Sequence, residues 1–255
     1  MNNNICLSNV VGILLGSSSK NNNLTNNNCS NNEEGIGLDS SNNNTIRTND
    51  CNSNNIYGIV LTFSSNNTIF NSNCSSNNFY GIYLFSSSNN TICNNNCSSN
   101  NYDGIRLTGI SFKSSSNNNE ITGNQMCNNA RYGASIEFGS NNTIWNNTFI
   151  ANNGAGSVYD INHRQACDYG TSNCWNVSGS PHGYGNYWAD WTTPDDVSPW
   201  GIVDNPYNIA GSAGAKDFYP LTTPPLPPIP EPSILILAGV MIAVSMMIGR
   251  VKKKT

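Results

Sequence analysis

Apolar positions along this chain do not recur at helical spacing; they come in two short clusters that return together every 23 residues. The first cluster opens on glycine: Gly12, Gly35, Gly58, Gly81 and Gly104 begin "GILL", "GIGL", "GIVL", "GIYL" and "GIRL". Six extra residues, Thr108 to Lys113, interrupt the register, which resumes at Gly133 and again at Gly156, giving seven copies. The second cluster keeps step as "NNTI" ending at Ile46, Ile69, Ile92 and Ile144, with variants ending at Leu24 and Ile121. In "GIVL", Ile59 and Leu61 fall on one strand face, and the Thr-Ile pair supplies a second β-prone piece between Asn and Ser turn formers. A copy this short and this rich in Ser, Thr, Asn and Gly disfavours helices. The pattern predicts an all-β fold: a right-handed parallel β-helix of about seven 23-residue coils over 1–158. At roughly 4.8 Å per coil the rod is about 34 Å long.

Composition changes its meaning once the period is known. Asparagine accounts for 50 of 255 residues and charged residues for only 10%, which in an aperiodic chain reads as disorder. Here Asn serves sharp turns and ladders of stacked side chains. The repeat also generates ten N-x-S/T triplets, at Asn23, Asn28, Asn43, Asn66, Asn73, Asn89, Asn96, Asn141, Asn146 and Asn176, of which only some are expected to carry glycan. Cys6, Cys29, Cys51, Cys74 and Cys97 hold one position in the repeat, and the same offset reaches Met126 and then Phe149. Thiol, thioether and phenyl groups share burial rather than coordination chemistry, so the position reads as an interior apolar stack, the alternative being a channel for soft metal ions. Cys167 and Cys174 lie outside the copies and are a candidate disulfide in an oxidising compartment.

Beyond the repeats, 159–220 is aromatic-rich, with Trp175, Trp188, Trp191 and Trp200 and the stretch "GYGNYWADW". It is either a cap over the open end of the coil or a platform that stacks sugar rings, with Tyr187, Trp188 and Trp191 as candidate carbohydrate contacts. A Pro-rich spacer follows over 221–232. The segment 233–255 combines the apolar run Ile234 to Ile248 with Arg250, Lys252, Lys253 and Lys254, the pattern of a transmembrane anchor with a cytoplasmic C-terminus and everything before it outside. Pro230, Glu231, Pro232 and Ser233 ahead of that run resemble the PEP-CTERM type of sorting signal, which implies a tail that is cleaved and replaced by a covalent anchor. The start "MNNNICLSNVVGILLG" offers no basic or long apolar leader, and the expectation is either the C-terminal part of a longer protein or a start assigned too late.

The repeats together with "GNYWADWTTPDD", "GIVDNPYNI" and "KDFYPL" resemble the NosD-type β-helix proteins, described as periplasmic copper-binding or carbohydrate-binding and sugar-hydrolysis domains and abundant on the surfaces of methanogenic archaea. The resemblance covers nearly the whole chain up to the spacer and implies a carbohydrate-facing surface protein. Asp195, Asp196 and Asp204 lack the alternating spacing of the calcium loop found in such relatives. Copper would have to rely on His163 and His182, which are distant in sequence.

Catalysis needs a constellation as well as a fold. The outward charges expected on the rod are Asp39, Arg47, Asp50, Asp103, Arg106, Glu120, Arg131 and Glu137, and only Asp103 with Arg106, beside the extra loop, suggests a groove. No cofactor motif is present, and a net charge of −4 gives no reason to expect nucleic acid. The leading expectation is a surface-anchored structural or adhesive protein contacting carbohydrate or the cell envelope. A polysaccharide hydrolase or lyase is the alternative, and a copper-delivery protein a weaker one.

Overall fold

The computed structural model describes residues 1–111, 113–179 and 184–225. Eighteen short strands are found there: β1 (Val11–Leu15), β2 (Asn23–Thr25), β3 (Glu34–Asp39), β4 (Thr45–Arg47), β5 (Tyr57–Thr62), β6 (Thr68–Phe70), β7 (Ile82–Phe85), β8 (Thr91–Cys93) and β9 (Ile105–Thr108), then β10 (Glu120–Thr122), β11 (Gln125–Cys127), β12 (Ala134–Ile136), β13 (Thr143–Trp145), β14 (Thr148–Ile150), β15 (Ala166–Asp168), β16 (Tyr187–Trp188), β17 (Tyr207–Asn208) and β18 (Lys216–Asp217). The first sixteen form a right-handed parallel β-helix with three walls, and β17 and β18 pair antiparallel in the segment that follows. The long sheet runs β1-β3-β5-β7-β9-β12-β15, the second sheet β2-β4-β6-β8-β10-β13, and the third wall ends as β11-β14-β16. Register follows the sequence period: Ile36 pairs Ile59, Ile59 pairs Ile82, and Ile46 pairs Ile69.

Seven strands in the long sheet and six in the second make about six turns rather than seven even coils. The copy anchored on Gly156 does not form. Gly133 donates its N–H to Gln165, not to Gly156, and Ala134 pairs with Ala166. The reason is an excursion after Asn153, whose left-handed φ of 55° turns the chain out and exposes Val158 and Ile161 before it returns at Gln165. All three walls then continue past residue 158: β15 on β12, Thr171 and Cys174 bridged to Ser140 and Thr143, and β16 on β14.

The corners account for the asparagine content. Each is a left-handed residue followed by a buried one, as in Asn66-Asn67 (φ 57° at Asn66) and Asn89-Asn90 (φ 56° at Asn89). The left-handed residue turns outward, where Asn tolerates positive φ. Its successor turns inward and accepts from the preceding coil: Asn67 Oδ1 takes the N–H of Asn44 at 2.8 Å and Asn90 Oδ1 that of Asn67 at 2.8 Å. Three such ladders run the length of the helix, through Asn32, Asn54, Asn77 and Asn100, through Asn44, Asn67, Asn90 and Asn119, and through Asn27, Asn49, Ser72 and Asn95. They satisfy polar groups that a fully buried corner would otherwise strand.

Inside the ladders the core is aliphatic. Leu24, Ile36, Ile46, Ile59, Ile69, Ile82, Ile92 and Ile105 are all 0% exposed, and Cys29, Cys51, Cys74, Cys97, Met126 and Phe149 stack beside them, also at 0%. Cys6, in the outermost coil, is half-buried. The repeat glycine is dictated by the same crowding: a Cβ on Gly58 would lie 2.6 Å from the Gly81 carbonyl oxygen and 2.8 Å from that of Cys51. Trp175, Trp188 and Tyr207 seal the far end, with Trp188 sandwiched between Phe149 (4.2 Å) and Tyr207 (4.0 Å). Trp188 is fully buried and has no ring face for a sugar, which corrects that assignment; Tyr187 and Trp191 remain half-buried at the rim. Cys167 and Cys174 are free thiols, one on the long sheet and the other beside β13 on the second sheet, so the candidate disulfide is not formed.

Among the described residues no helix is long and apolar enough to cross a membrane. The expected anchor over 233–255 and most of the spacer over 221–232 lie outside the described residues, as does His182.

Candidate sugar-binding face of the long sheet

Alternation along the long sheet sends Ile82 and Leu84 into the core and Tyr83 and Phe85 out of it. Stacking then collects the outward residues of successive coils into rows. One row is Val60, Tyr83, Arg106, Ser135 and Cys167. A second places Tyr57, Tyr80, Asp103 and Tyr132 beside it, and a third brings Thr62, Phe85, Thr108 and Glu137. The outer face of this wall therefore sets Tyr57, Tyr80, Tyr83 and Phe85 beside Arg106, Tyr132 and Glu137.

The rings touch in a continuous strip. Phe63 meets Phe85 at 5.7 Å, Tyr83 packs on Tyr57 at 5.1 Å and on Tyr80 at 5.2 Å, and Tyr57 and Tyr80 lie parallel at 5.6 Å. Phe79 and Tyr102 stack at 5.0 Å beside them. Burial, reinforced by Tyr57 and Tyr80, pushes the Tyr83 hydroxyl up to about 12, so it stays a neutral donor.

The strip runs into a charged cluster. Arg106 lies over the Tyr80 ring at 5.5 Å, contacts Asp103 Oδ2 at 3.3 Å, and donates to Glu137. Arg131 covers Tyr102 at 5.6 Å and Tyr132 at 5.5 Å, with its Nε 4.0 Å from Asp103 Oδ1. Asp103 is fully buried rather than outward-facing as expected, because it also accepts from Ser135 Oγ at 2.6 Å and from the Tyr132 N–H at 3.1 Å. It positions the two arginines and has no access to a ligand. Glu137, with 44% of its side chain exposed, is the acid that reaches solvent. Burial works against the Arg106 charge, yet Tyr80, Asp103 and Glu137 outweigh it and hold the guanidinium above its usual range.

Arg106, Arg131, Tyr132, Glu137, Cys167 and Tyr169 line a cleft of about 80 Å³ here, enough for one small substituent of a ligand lying across the face. Burial raises the Cys167 thiol, against the lowering pull of the Tyr169 and Tyr132 hydroxyls. Burial likewise lifts the Tyr132 hydroxyl to about 12.

The sequence singled out Asp103 and Arg106, and the structure brings Glu137, Tyr80 and Tyr83 to them. A signal was available: Tyr57, Tyr80 and Tyr132 each precede a repeat glycine, so a 23-residue stacking rule already places them in one row.

A copper centre does not fit these residues. Among the described residues no three His, Cys, Asp or Glu side chains converge on a common point. His163 pairs with Asp160 at 2.7 Å on the exposed excursion. In the interior stack, burial pushes the Cys51 and Cys74 thiols well up, favouring the protonated form that does not bind metal, although a hydrogen bond with Cys51 lowers Cys29.

Solved structures with this fold include the A-module of mannuronan C-5 epimerase AlgE6 from Azotobacter vinelandii, with a TM-score of 0.55 at 19% identity, covering 68% of this chain and 51% of that one. The A-module of the AlgE4 mannuronan C-5 epimerase from the same organism gives 0.53 at 18%, over 68% and 51%. A point mutant of the periplasmic alginate epimerase AlgG gives 0.51 at 22%, over 68% and 46%. The present chain thus spans about half the length of each, and at these identities the likeness is one of fold. No curated protein sequence matches the chain. The family described as "Periplasmic copper-binding protein (NosD)" matches residues 1–193.

Proposed function

The chain belongs to the NosD family, and from that membership we propose that it works outside the cytoplasm as a polysaccharide-binding β-helix. A polysaccharide strand lies across the long sheet, its rings on the Tyr57-Tyr80-Tyr83 strip and one substituent in the cleft beside Arg106 and Glu137. The observation that carries this reading is the unbroken path from aromatic ring faces to a charged cleft on one wall. Flat rings bordered by hydrogen-bonding groups suit sugars, which present apolar faces and polar rims. The coarse likeness to epimerases whose names specify alginate and mannuronan supports the substrate class. Attachment to the cell surface through the segment 233–255 belongs to the same reading and rests on the apolar run followed by the basic tail.

Polysaccharide cleavage on this wall is the second reading. Its acid would be Glu137, since Asp103 is enclosed. A glycan array on the full chain, with mass-spectrometric analysis of every bound glycan, separates the two. Binding without shortened products is expected, and Tyr83→Ala should weaken it about tenfold, the loss of one stacking contact. Products that shorten with time would replace binding by catalysis, and a blank array would end both readings.

A further inference from the structure

The ten N-x-S/T triplets all satisfy the acceptor motif but differ in their place on the coil. Asn43, Asn66, Asn89 and Asn141 form one column on the corner that leads into the second sheet, each exposed and each left-handed, at φ of 57°, 57°, 56° and 55°. Their side chains make no hydrogen bond to another described residue. The middle residue of each triplet, Asn44, Asn67, Asn90 or Asn142, is a buried ladder rung, and the Thr that follows opens a strand with its side chain half out. The acceptor amide and the hydroxyl that the triplet requires therefore emerge on the same side, while the residue between them locks the corner to the core.

The N-C-S triplets differ. Asn73 commits Nδ2 to Asp50 Oδ1 at 3.0 Å, and Asn96 commits its own to Asn73 Oδ1 at 3.2 Å. Asn28 Oδ1 is taken by Ser30 Oγ at 2.7 Å, and all three asparagines are only half-exposed. Asn176 is likewise engaged, by the Phe218 N–H at 3.1 Å; Asn23 accepts from the buried Thr25 Oγ1 at 2.7 Å; and Asn146, though left-handed at φ 57°, is only half-exposed on the third wall.

We propose that Asn43, Asn66, Asn89 and Asn141 are the N-glycosylation sites of this protein. The donor is a lipid-phosphate-linked oligosaccharide delivered by a glycosyltransferase. Nδ2 attacks the anomeric carbon, the C–N bond forms as the bond from that carbon to the phosphate oxygen breaks, and the amide proton leaves with the phosphate. No oxidant or reductant is involved. Strand spacing sets occupancy: neighbouring coils are about 4.8 Å apart, less than the width of a sugar ring, so Asn66 competes with Asn43 on one side and Asn89 on the other. Asn141 has no such neighbour, because the coil between carries Asn118 followed two residues later by Glu120 instead of Thr.

The test is glycopeptide mass spectrometry on the full chain produced in a host that glycosylates a control acceptor protein. Glycan is expected on the corner column, with occupancy highest at Asn141 and lowest of the four at Asn66. Thr143→Ala should abolish the Asn141 glycan without touching the Asn142 rung, and Thr68→Ala should raise occupancy at Asn43 and Asn89. Unmodified corner asparagines beside a glycosylated control, or equal occupancy at Asn73 and Asn96, would overturn the assignment.

Discussion

The backbone N–H of Asn186 donates to Asp217 Oδ2 at 2.6 Å, so one asparagine ladder ends on a carboxylate. The other two do the same: Asn173 Nδ2 donates to Asp168 Oδ1 at 3.0 Å, and Gln165 passes its ladder on to Asp190. A ladder in which each rung donates to the next leaves its last donors unmatched, and a carboxylate, which only accepts when ionised, supplies what a further asparagine coil would have supplied. Each acid also meets an aromatic donor of the cap: Trp175 at Asp168, Trp188 at Asp217 and the Tyr207 hydroxyl at Asp190. The motifs "GNYWADW" and "KDFYPL" are thus the terminator of the solenoid.

Termination on Asp217 makes stability depend on pH. Burial pushes its carboxyl up to about 6, against the pull of the N–H groups of Asn186, Trp188 and Tyr219. A folded-state value above the ordinary 3.8 means that the native protein holds this proton more tightly than the unfolded chain. The contribution is therefore fully present below about pH 4 and lost as pH rises through about 6, a change of ~3 kcal/mol. Asp190 is raised by burial too and adds in the same direction. Thermal unfolding between pH 4 and 7 should show this fall in the native chain and a flatter profile in Asp217→Asn. Equal slopes in the two proteins would refute the role of Asp217.

The repeat and the inward stack from Cys29 to Phe149 were legible from periodicity, and the handedness from the right-handed preference of parallel crossovers. What escaped follows from terms that a single copy does not display. Gly156 keeps the spacing but lacks the apolar pair that follows every other repeat glycine, and the chain leaves the coil there. Asp103 looked exposed because its row faces outward, and it is buried by groups of other coils and turns, Arg106 and Arg131 over it and Ser135 and the Tyr132 N–H against it. Trp188 looked like a platform because exposure of an aromatic ring depends on what lies above it, and Tyr207, nineteen residues on, covers it.

The two glycines at repeat positions give a direct contrast. Gly58→Ala puts a methyl group 2.6 Å from the Gly81 carbonyl oxygen, a contact that the rigid stack has no room to relieve. Nothing lies within 4 Å of the same position on Gly156. Gly58→Ala is expected to cost more than about 2 kcal/mol in denaturant unfolding, and Gly156→Ala less than about 0.5. Comparable losses at the two positions would contradict the coil assignment.

Thiol chemistry distinguishes the dry stack from a metal channel. Cys174 is exposed, whereas Cys29, Cys51, Cys74, Cys97 and Cys167 are buried. An aqueous thiol reagent should label Cys174 within minutes, and these five together with the buried Cys127 only on unfolding. Rapid labelling of the stack in the native protein would mean that the interior is open to solvent and to ions.

Arg106 and Glu137 form one ion pair whose two ends should respond very differently to removal. Arg106→Ala strips a fully buried carboxylate, Asp103, of its nearest cation and leaves Arg131 Nε at 4.0 Å as a partial substitute. Breaking a buried pair from one side costs about 3–5 kcal/mol, and the second arginine should hold the loss near the lower bound. Asp103→Asn in the same chain removes the stranded charge and is expected to recover part of it. Glu137→Gln leaves Asp103 beneath Arg106 and removes a half-exposed charge, so its cost should stay below about 1 kcal/mol. The mild variant is therefore the one in which sugar binding can be read without loss of fold. If Glu137→Gln instead unfolds the chain as readily as Arg106→Ala, the cluster is a structural clasp with no carboxylate to offer a ligand.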